Sequence, residues 1–378
     1  MPFIGIGIIT SIGIEFFKLS KDEFRSYFSS VLIIPIVSFF AVMLVVILSG
    51  KYFIGYFDIE NVKWLYVLPF LALFSISEEL ALTLLRNKKE AVPYGVAKTL
   101  KVIIEISLTL YLIIELGMKW EGRMLSWGLA ALLAGIAPLI YFKKIKIFDF
   151  KLIKKKYIMS ALAFGIPLIP ERISTFVLNI SDRLFIAEME SLENVGLYAV
   201  GSQVGMVILV LTGALLQSFI PFQYEKMTNL TRINKIKIVQ YTYIFMIILI
   251  IVFLVLILFT PIIFSVLNKE FISGSVFVFW IALGYLFEAL YNIFYQYLIY
   301  LNKTRMIAVI TLLGVLTNLV LNYLLIKEFG TIGAAYSTLI SYALIATITF
   351  IIANRIFPMP WLAFSEIVQL KINDKGEV

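Results

Sequence analysis

The chain of 378 residues contains no cysteine and no histidine. Disulfides, haem ligation, zinc centres of the usual kind and histidine general-base chemistry are therefore excluded. Metal-assisted catalysis would rest on carboxylates alone, and no cofactor or resident metal is expected. Charge is also scarce. Asp, Glu, Lys and Arg make up 15% of the residues, against about 25% in soluble domains. Hydrophobic residues make up 61%. A soluble fold of this size cannot hide so much apolar surface, which leaves lipid as the solvent.

What is present is a series of long apolar stretches separated by short loops. Ten of them run over 31–49, 65–85, 94–116, 123–142, 157–180, 196–222, 240–266, 274–300, 305–326 and 331–354. Each is near the ~20 residues that a helix needs to cross a hydrocarbon core. In lipid only helices and closed barrels satisfy their own backbone, and uninterrupted apolar runs of this length read as helices. The fold class expected is an all-α polytopic membrane protein.

The net charge is +8, but its distribution argues against a nucleic-acid partner. The loops at 18–30, 86–92, 143–156, 223–238, 300–306 and 354–378 hold 22 Lys and Arg, and the alternate loops hold seven. Strict alternation is the positive-inside pattern. It places the first set of loops and the C-terminus in the cytoplasm, with the chain in the cell's inner membrane. The richest loop, Lys143 to Lys156, is also suited to anionic lipid heads, so membrane lipids are expected partners.

The chain repeats itself weakly. Residues 11–32 and 217–238 both lead from an aromatic span end into a basic loop, and 86–92 parallels 301–307. Two anchors in one order, with matching span counts, suggest a six-plus-six plan. Residues 3–17 are apolar but short, and they lack a basic leader and an A-x-A site, so a signal peptide is not expected. The plan implies that the first helix is missing; a short re-entrant segment is the alternative. The expected domains are an incomplete N-terminal bundle, 1–150, and a C-terminal bundle, 151–378. Two pseudo-symmetric bundles starting on one side of the membrane imply a twofold axis along its normal and a central cavity, where transporters bind substrate.

Polar residues inside the spans are candidates for function. Arg172, Thr175, Asn179 and Asp182 recur at helical spacing and form one stripe. Pro167 and Pro170 precede them and are expected to bend or open the helix. Arg172 can bind an anion, or pair with Glu171 or a carboxylate on a neighbouring helix. Lys98, Lys101, Glu105 and Thr109 form a second stripe. Lys98 is expected to snorkel to the surface, and Lys101 and Glu105 can pair with each other. The parallel span carries Thr311, Asn318 and Asn322. Glu78 and Glu79 sit in one span, and Glu288, Asn292 and Gln296 in another. Such carboxylates either couple transport to a proton or Na+, or balance Arg172 and Lys101.

The run 181–201, SDRLFIAEMESLENVGLYAVG, resembles the motif after the first span of the second half in Wzx-type polysaccharide flippases, of the MOP/MATE-like superfamily. Asp182, Arg183, Gly196, Tyr198 and Ala199 are the matching positions. The resemblance implies two six-helix bundles around a V-shaped cavity. It implies a transporter, not an enzyme, that moves oligosaccharide linked to undecaprenyl pyrophosphate from the cytoplasmic to the periplasmic leaflet, in contact with the polysaccharide polymerase machinery. A polyanionic headgroup needs a wet, cationic passage. Arg172 and Lys101 are then expected to meet the diphosphate, with Thr175, Asn179, Asn318 and Asn322 on the sugar hydroxyls. Asp182, Glu105, Glu78 and Glu288 are the expected ion-coupling groups.

The rival readings are a drug or cation antiporter of the same superfamily, a lipid II flippase, and a membrane-bound polysaccharide polymerase or glycosyltransferase. An antiporter would favour acidic and aromatic groups over a buried Arg. An enzyme would need larger outside loops than these.

Overall fold

The computed structural model of the protein describes residues 2–57 and 63–363. The tip of the loop expected at 50–63 and the tail 364–378, with two of its basic residues, lie outside the described residues. No strand occurs among the described residues. Nine helical segments there are long and apolar enough to cross a membrane.

The chain forms two compact units, Met1–Ile169 and Pro170–Val378. The first contains α1 (Pro2–Gly5), α2 (Ile8–Lys18), α3 (Lys21–Val31), α4 (Ile33–Phe57), α5 (Lys63–Asn87), α6 (Ala91–Leu110), α7 (Trp120–Lys144) and α8 (Lys155–Gly165). The segment 151–169, expected with the second bundle, packs in this first unit: α8 rests on α2 and α3. The second contains most of α9 (Leu168–Met189), then α10 (Leu192–Gly205), α11 (Val207–Thr228), α12 (Arg232–Val266), α13 (Ser275–Tyr300), α14 (Thr304–Phe329) and α15 (Ile332–Ile356).

The span expected at 94–116 is helical, but it is not among those nine. α6 carries Lys98, Lys101 and Glu105 along one short stretch, and it ends in a π-helical turn over Tyr111–Glu115. The span expected at 157–180 is two helices. α8 stops at Gly165 and α9 restarts at Leu168. Pro167 lies in the gap, where it cannot donate a helical hydrogen bond. The break is also a docking point. The α1–α2 turn, with Gly7 at φ 67°, lies against Gly165, where a Cβ would overlap the Ile6 carbonyl oxygen.

The expected internal repeat is visible inside each unit. α7 packs on both α5 and α6, as α15 packs on both α13 and α14. Ser20 caps α3 by accepting from the Glu23 backbone N–H, and Thr231 caps α12 by accepting from that of Asn234. The turns before α6 and α14 each hold a left-handed residue, Lys89 at φ 61° and Asn302 at φ 57°. These pairs are shifted by a few residues from the register that the loop sequences suggest, because capping geometry fixes the register and loop composition does not.

Candidate functional site

The polar residues of the second unit gather around Asp182, which is 6% exposed. Its Oδ2 accepts from the Tyr198 hydroxyl at 2.6 Å and from Thr338 Oγ1 at 2.6 Å. Its Oδ1 accepts from Asn322 Nδ2 at 2.9 Å. Four helices, α9, α10, α14 and α15, thus converge on one carboxylate. A second layer fixes the first. Asn318 Oδ1 accepts from Ser181 Oγ at 2.8 Å and from Asn322 Nδ2 at 3.1 Å. Asn318 Nδ2 donates to Ser337 Oγ at 3.1 Å, and that hydroxyl donates to the Asn318 carbonyl at 3.0 Å.

The sequence order explains the convergence. Ser191 caps α10 by accepting from the Asn194 backbone N–H at 3.1 Å, so α10 turns back along α9 and returns Tyr198 to Asp182. Asn318 and Asn322 are four residues apart and share a face of α14. Ser337 and Thr338 answer them from α15.

Asp182 makes no ion pair among the described residues within 4 Å. Its hydrogen bonds all come from neutral donors, and burying a carboxylate in this way costs several kcal/mol in desolvation. The Asn322 Oδ1 beside it is buried without a hydrogen-bond partner. A carboxylate, an unsatisfied amide oxygen and two rotatable hydroxyls form an oxygen-rich nest suited to a proton or a small hard cation. No group of three or more acidic side chains placed to hold a metal ion occurs among the described residues.

Asn318 and Asn322, expected on sugar hydroxyls, are instead spent inside the unit; they are 1% and 0% exposed. Asn322 holds Asp182 and Asn318 holds Asn322, and burial keeps both from a large hydrated ligand. Asn179 and Thr175 are also self-satisfied: Asn179 Nδ2 donates to the Thr175 carbonyl at 2.8 Å, and Thr175 Oγ1 donates to that of Glu171 at 3.1 Å. Thr175 keeps only its acceptor lone pairs, and Asn179 keeps its amide oxygen and one N–H. The expected stripe on α9 therefore divides. Asp182 turns inward, whereas Arg172 and Asn179 are exposed.

Arg172 Nε lies 3.5 Å from Glu171 Oε2, and the Arg172 side chain is 60% exposed while that of Glu171 is 7% exposed. Of the alternatives for Arg172, the pairing with Glu171 is present, and the guanidinium edge stays open. Tyr291 and Tyr295 of α13 meet edge to face with ring centroids 5.6 Å apart. About one turn before Tyr291 on α13, Glu288 lies beside the buried Tyr342 hydroxyl of α15.

In the first unit the stripe on α6 is neutralised. Lys101 Nζ pairs with Glu78 Oε2 at 2.6 Å, not with Glu105. Glu105 pairs with Arg123 of α7 at 2.9 Å, and Thr109 bridges to Ser126 at 2.6 Å. Lys101 is thus already engaged, because Glu78 on α5 projects to the same level. Glu78 and Glu105 serve as counter-charges. Lys98 reaches the Tyr94 hydroxyl at 3.4 Å in an exposed position, as snorkelling predicts.

Sequence reasoning misses two participants. Tyr198 is visible only as a motif position, and Thr338 stands in an ordinary apolar span. The spacing of Ser337, Thr338, Ser341 and Tyr342 marks a polar seam on α15, but it does not name what the seam faces.

A family model for polysaccharide biosynthesis proteins matches residues 2–225. The chain belongs to this family. It is 26% identical over 151 residues to Lsg locus putative protein 1 of Haemophilus influenzae, a match covering 39% of this chain and 37% of that protein. It is 29% identical over 163 residues to an uncharacterized membrane protein of the same organism, covering 41% and 39%. The chain spans under two fifths of either relative. Among solved structures, a MATE protein in its straight conformation superposes with a TM-score of 0.71 at 14% identity, over 98% of this chain and 84% of that one. The Vibrio cholerae MATE transporter VcmN superposes with a TM-score of 0.72 at 13% identity, over 94% and 86%. A MOP-superfamily transporter of Pyrococcus furiosus gives 0.67 at 13%, over 94% and 83%. At these identities the likeness is one of fold. The protein is a multi-pass membrane protein of the polysaccharide biosynthesis family, and its fold is that of MOP-superfamily transporters.

Proposed function

We propose that the protein transports an oligosaccharide repeat unit, linked to undecaprenyl pyrophosphate, from the cytoplasmic to the outer leaflet of the inner membrane. The observation that carries this reading is Arg172. A guanidinium within an apolar span costs from about 3 kcal/mol upward, yet it is kept at 60% exposure beside the buried carboxylate of Glu171. An exposed guanidinium edge suits a diphosphate. Lys101 is held by Glu78 at 2.6 Å with 21% of its side chain exposed, a tighter pairing than that of Arg172 with Glu171 at 3.5 Å, which favours Arg172 for that contact. The family's place in polysaccharide biosynthesis supports a glycan cargo, and the transporter fold supports movement over bond-making chemistry.

Asp182 supplies the coupling step in this reading. An H+ or Na+ arriving at its carboxylate replaces one or more of the three donors, which changes how tightly α10, α14 and α15 are tied to α9. Protonation removes the charge that holds them. Na+ instead requires the Tyr198 and Thr338 hydroxyls to rotate and present oxygen. In this reading the C-terminus faces the cytoplasm, which the excess of Lys and Arg in alternate loops supports.

Replacing Arg172 with Ala tests the cargo contact. Surface glycan is expected to disappear from cells while the variant still inserts in the membrane. Arg172→Lys is expected to restore part of it, since an ammonium meets phosphate without the bidentate geometry. Normal glycan display with Arg172→Ala overturns the proposal.

A further inference from the structure

The first unit contains a slot of about 670 Å³ between α3–α4, α5 and α7. Its walls are apolar, with Leu32, Pro35, Leu73, Phe74, Leu139 and Phe142 among the lining residues. That volume lies within the ~300–1,000 Å³ typical of small-ligand sites. One end is cationic: Arg25, Lys143 and Lys146 line it as well. Arg25 meets Asp149 at 3.4 Å, which leaves a rim of net charge about two positive. Neither Lys143 nor Lys146 makes an ion pair among the described residues, and Arg25 Nε is buried without a hydrogen-bond partner.

The rim is a fixed structure. The segment after α7 is tied to α3 by Asp149 N–H donating to Ser29 Oγ at 3.0 Å. Ser26 Oγ donates to the Leu152 carbonyl at 2.6 Å, and Lys154 N–H donates to Ser30 Oγ at 2.8 Å. Lys146 takes a left-handed φ of 50° and begins the turn that brings Phe148 and Phe150 to the slot, their rings 4.7 Å apart. Phe150 is 77% exposed, as suits an aromatic ring at a membrane boundary.

The other unit provides an internal control. The matching place lies among α12, α13 and α15, and there Trp361 fills it. The indole packs on Phe294, Phe350, Tyr297 and Tyr243, and its Nε1 donates to Asn354 Oδ1 at 2.9 Å. The repeat thus closes this slot with its own chain in one unit and leaves it open, with a basic rim, in the other.

We infer that the open slot holds a resident anionic glycerophospholipid, with one acyl chain along α5 and α7 and its phosphate among Lys143, Lys146 and Arg25. Charge complementarity selects the headgroup, and the apolar walls select a chain. The slot takes one acyl chain, whereas an undecaprenyl chain is several times longer and would lie mostly outside. The inference does not depend on the cargo of the transporter.

Native mass spectrometry of the full chain in detergent, with phosphatidylglycerol or phosphatidylcholine added, tests this. The wild type is expected to retain one phosphatidylglycerol, preferred at least tenfold over phosphatidylcholine. The double variant Lys143→Gln, Lys146→Gln removes two exposed charges and is expected to erase that preference. Leu139→Trp, placed on a half-exposed wall residue, imitates the Trp361 plug and is expected to lower retention of both lipids at least tenfold. The lysine variant decides the question alone if the tryptophan variant does not fold. Equal retention of both lipids, retention unchanged in the lysine variant, or displacement of phosphatidylglycerol by equimolar polyprenyl phosphate overturns the inference.

Discussion

Asp182→Asn separates the two roles that a buried carboxylate can have. In the native protein three neutral donors meet the charge, at 2.6, 2.6 and 2.9 Å. A hydrogen bond to a charged group contributes about 1.5–3 kcal/mol and a neutral one about 0.5–1.5. Turning three of the first kind into the second loses about 3 kcal/mol. Removing a dehydrated charge returns several kcal/mol. The two nearly cancel, and the Tyr198 and Thr338 hydroxyls can rotate to accept from the new amide. The variant is expected to melt in detergent with a stability change of under ~2 kcal/mol. Asp182→Leu leaves three buried donors without an acceptor, at about 1–3 kcal/mol each, so a loss of about 3–5 kcal/mol is expected after partial re-pairing. Melting curves of both variants, beside transport into proteoliposomes under an imposed proton or Na+ gradient, provide the assay. Asp182→Asn should keep the fold and lose the response to the gradient. If it melts as early as Asp182→Leu, the carboxylate is a structural post. If it responds to the gradient like the wild type, the coupling role is wrong.

Other outcomes follow from the same contacts. Lys101→Met strands Glu78, which is 7% exposed, and is expected to cost about 3–5 kcal/mol; adding Glu78→Leu should recover most of it, and equal melting of the single and double variants would refute the pairing. Gly165→Ala places a methyl group on the Ile6 carbonyl oxygen, so the α1–α2 turn must move; a loss above ~2 kcal/mol is expected, read as a lower melting temperature. Tyr198→Phe removes one donor from Asp182 and is expected to cost about 1–3 kcal/mol while shifting the ion concentration needed for half-maximal transport. A shift without lost stability, or the reverse, separates the hydroxyl's ligand role from its packing role.

Much of the fold was legible because lipid imposes a simple rule. Apolar length gives the helices, and it does not depend on a distant partner. The break at Pro167 was legible for a similar reason, since proline acts on its own backbone. The exception, α6, shows the limit. Its apolar run looks like its neighbours, but three charges at helical spacing require partners that its own sequence does not supply. Those partners are Glu78 on α5 and Arg123 on α7.

The candidate site was half legible. Asp182, Asn318 and Asn322 stood out because polar groups inside a span must be satisfied by something. Their roles did not follow, because helical spacing gives a residue's face on its own helix and not what that face meets. Asn318 and Asn322 are expected on sugar, but Asn322 holds a carboxylate and Asn318 holds Asn322. The sequence by itself determined that this chain lives in lipid, which of its loops are basic, and which few polar residues the spans retain. Tertiary structure alone decided which charges cancel, since Lys101 with Glu78 and Asp182 with Tyr198, Asn322 and Thr338 are pairings across helices. A buried charge is settled by the nearest donor in space, and the chain carries that distance nowhere in its linear order.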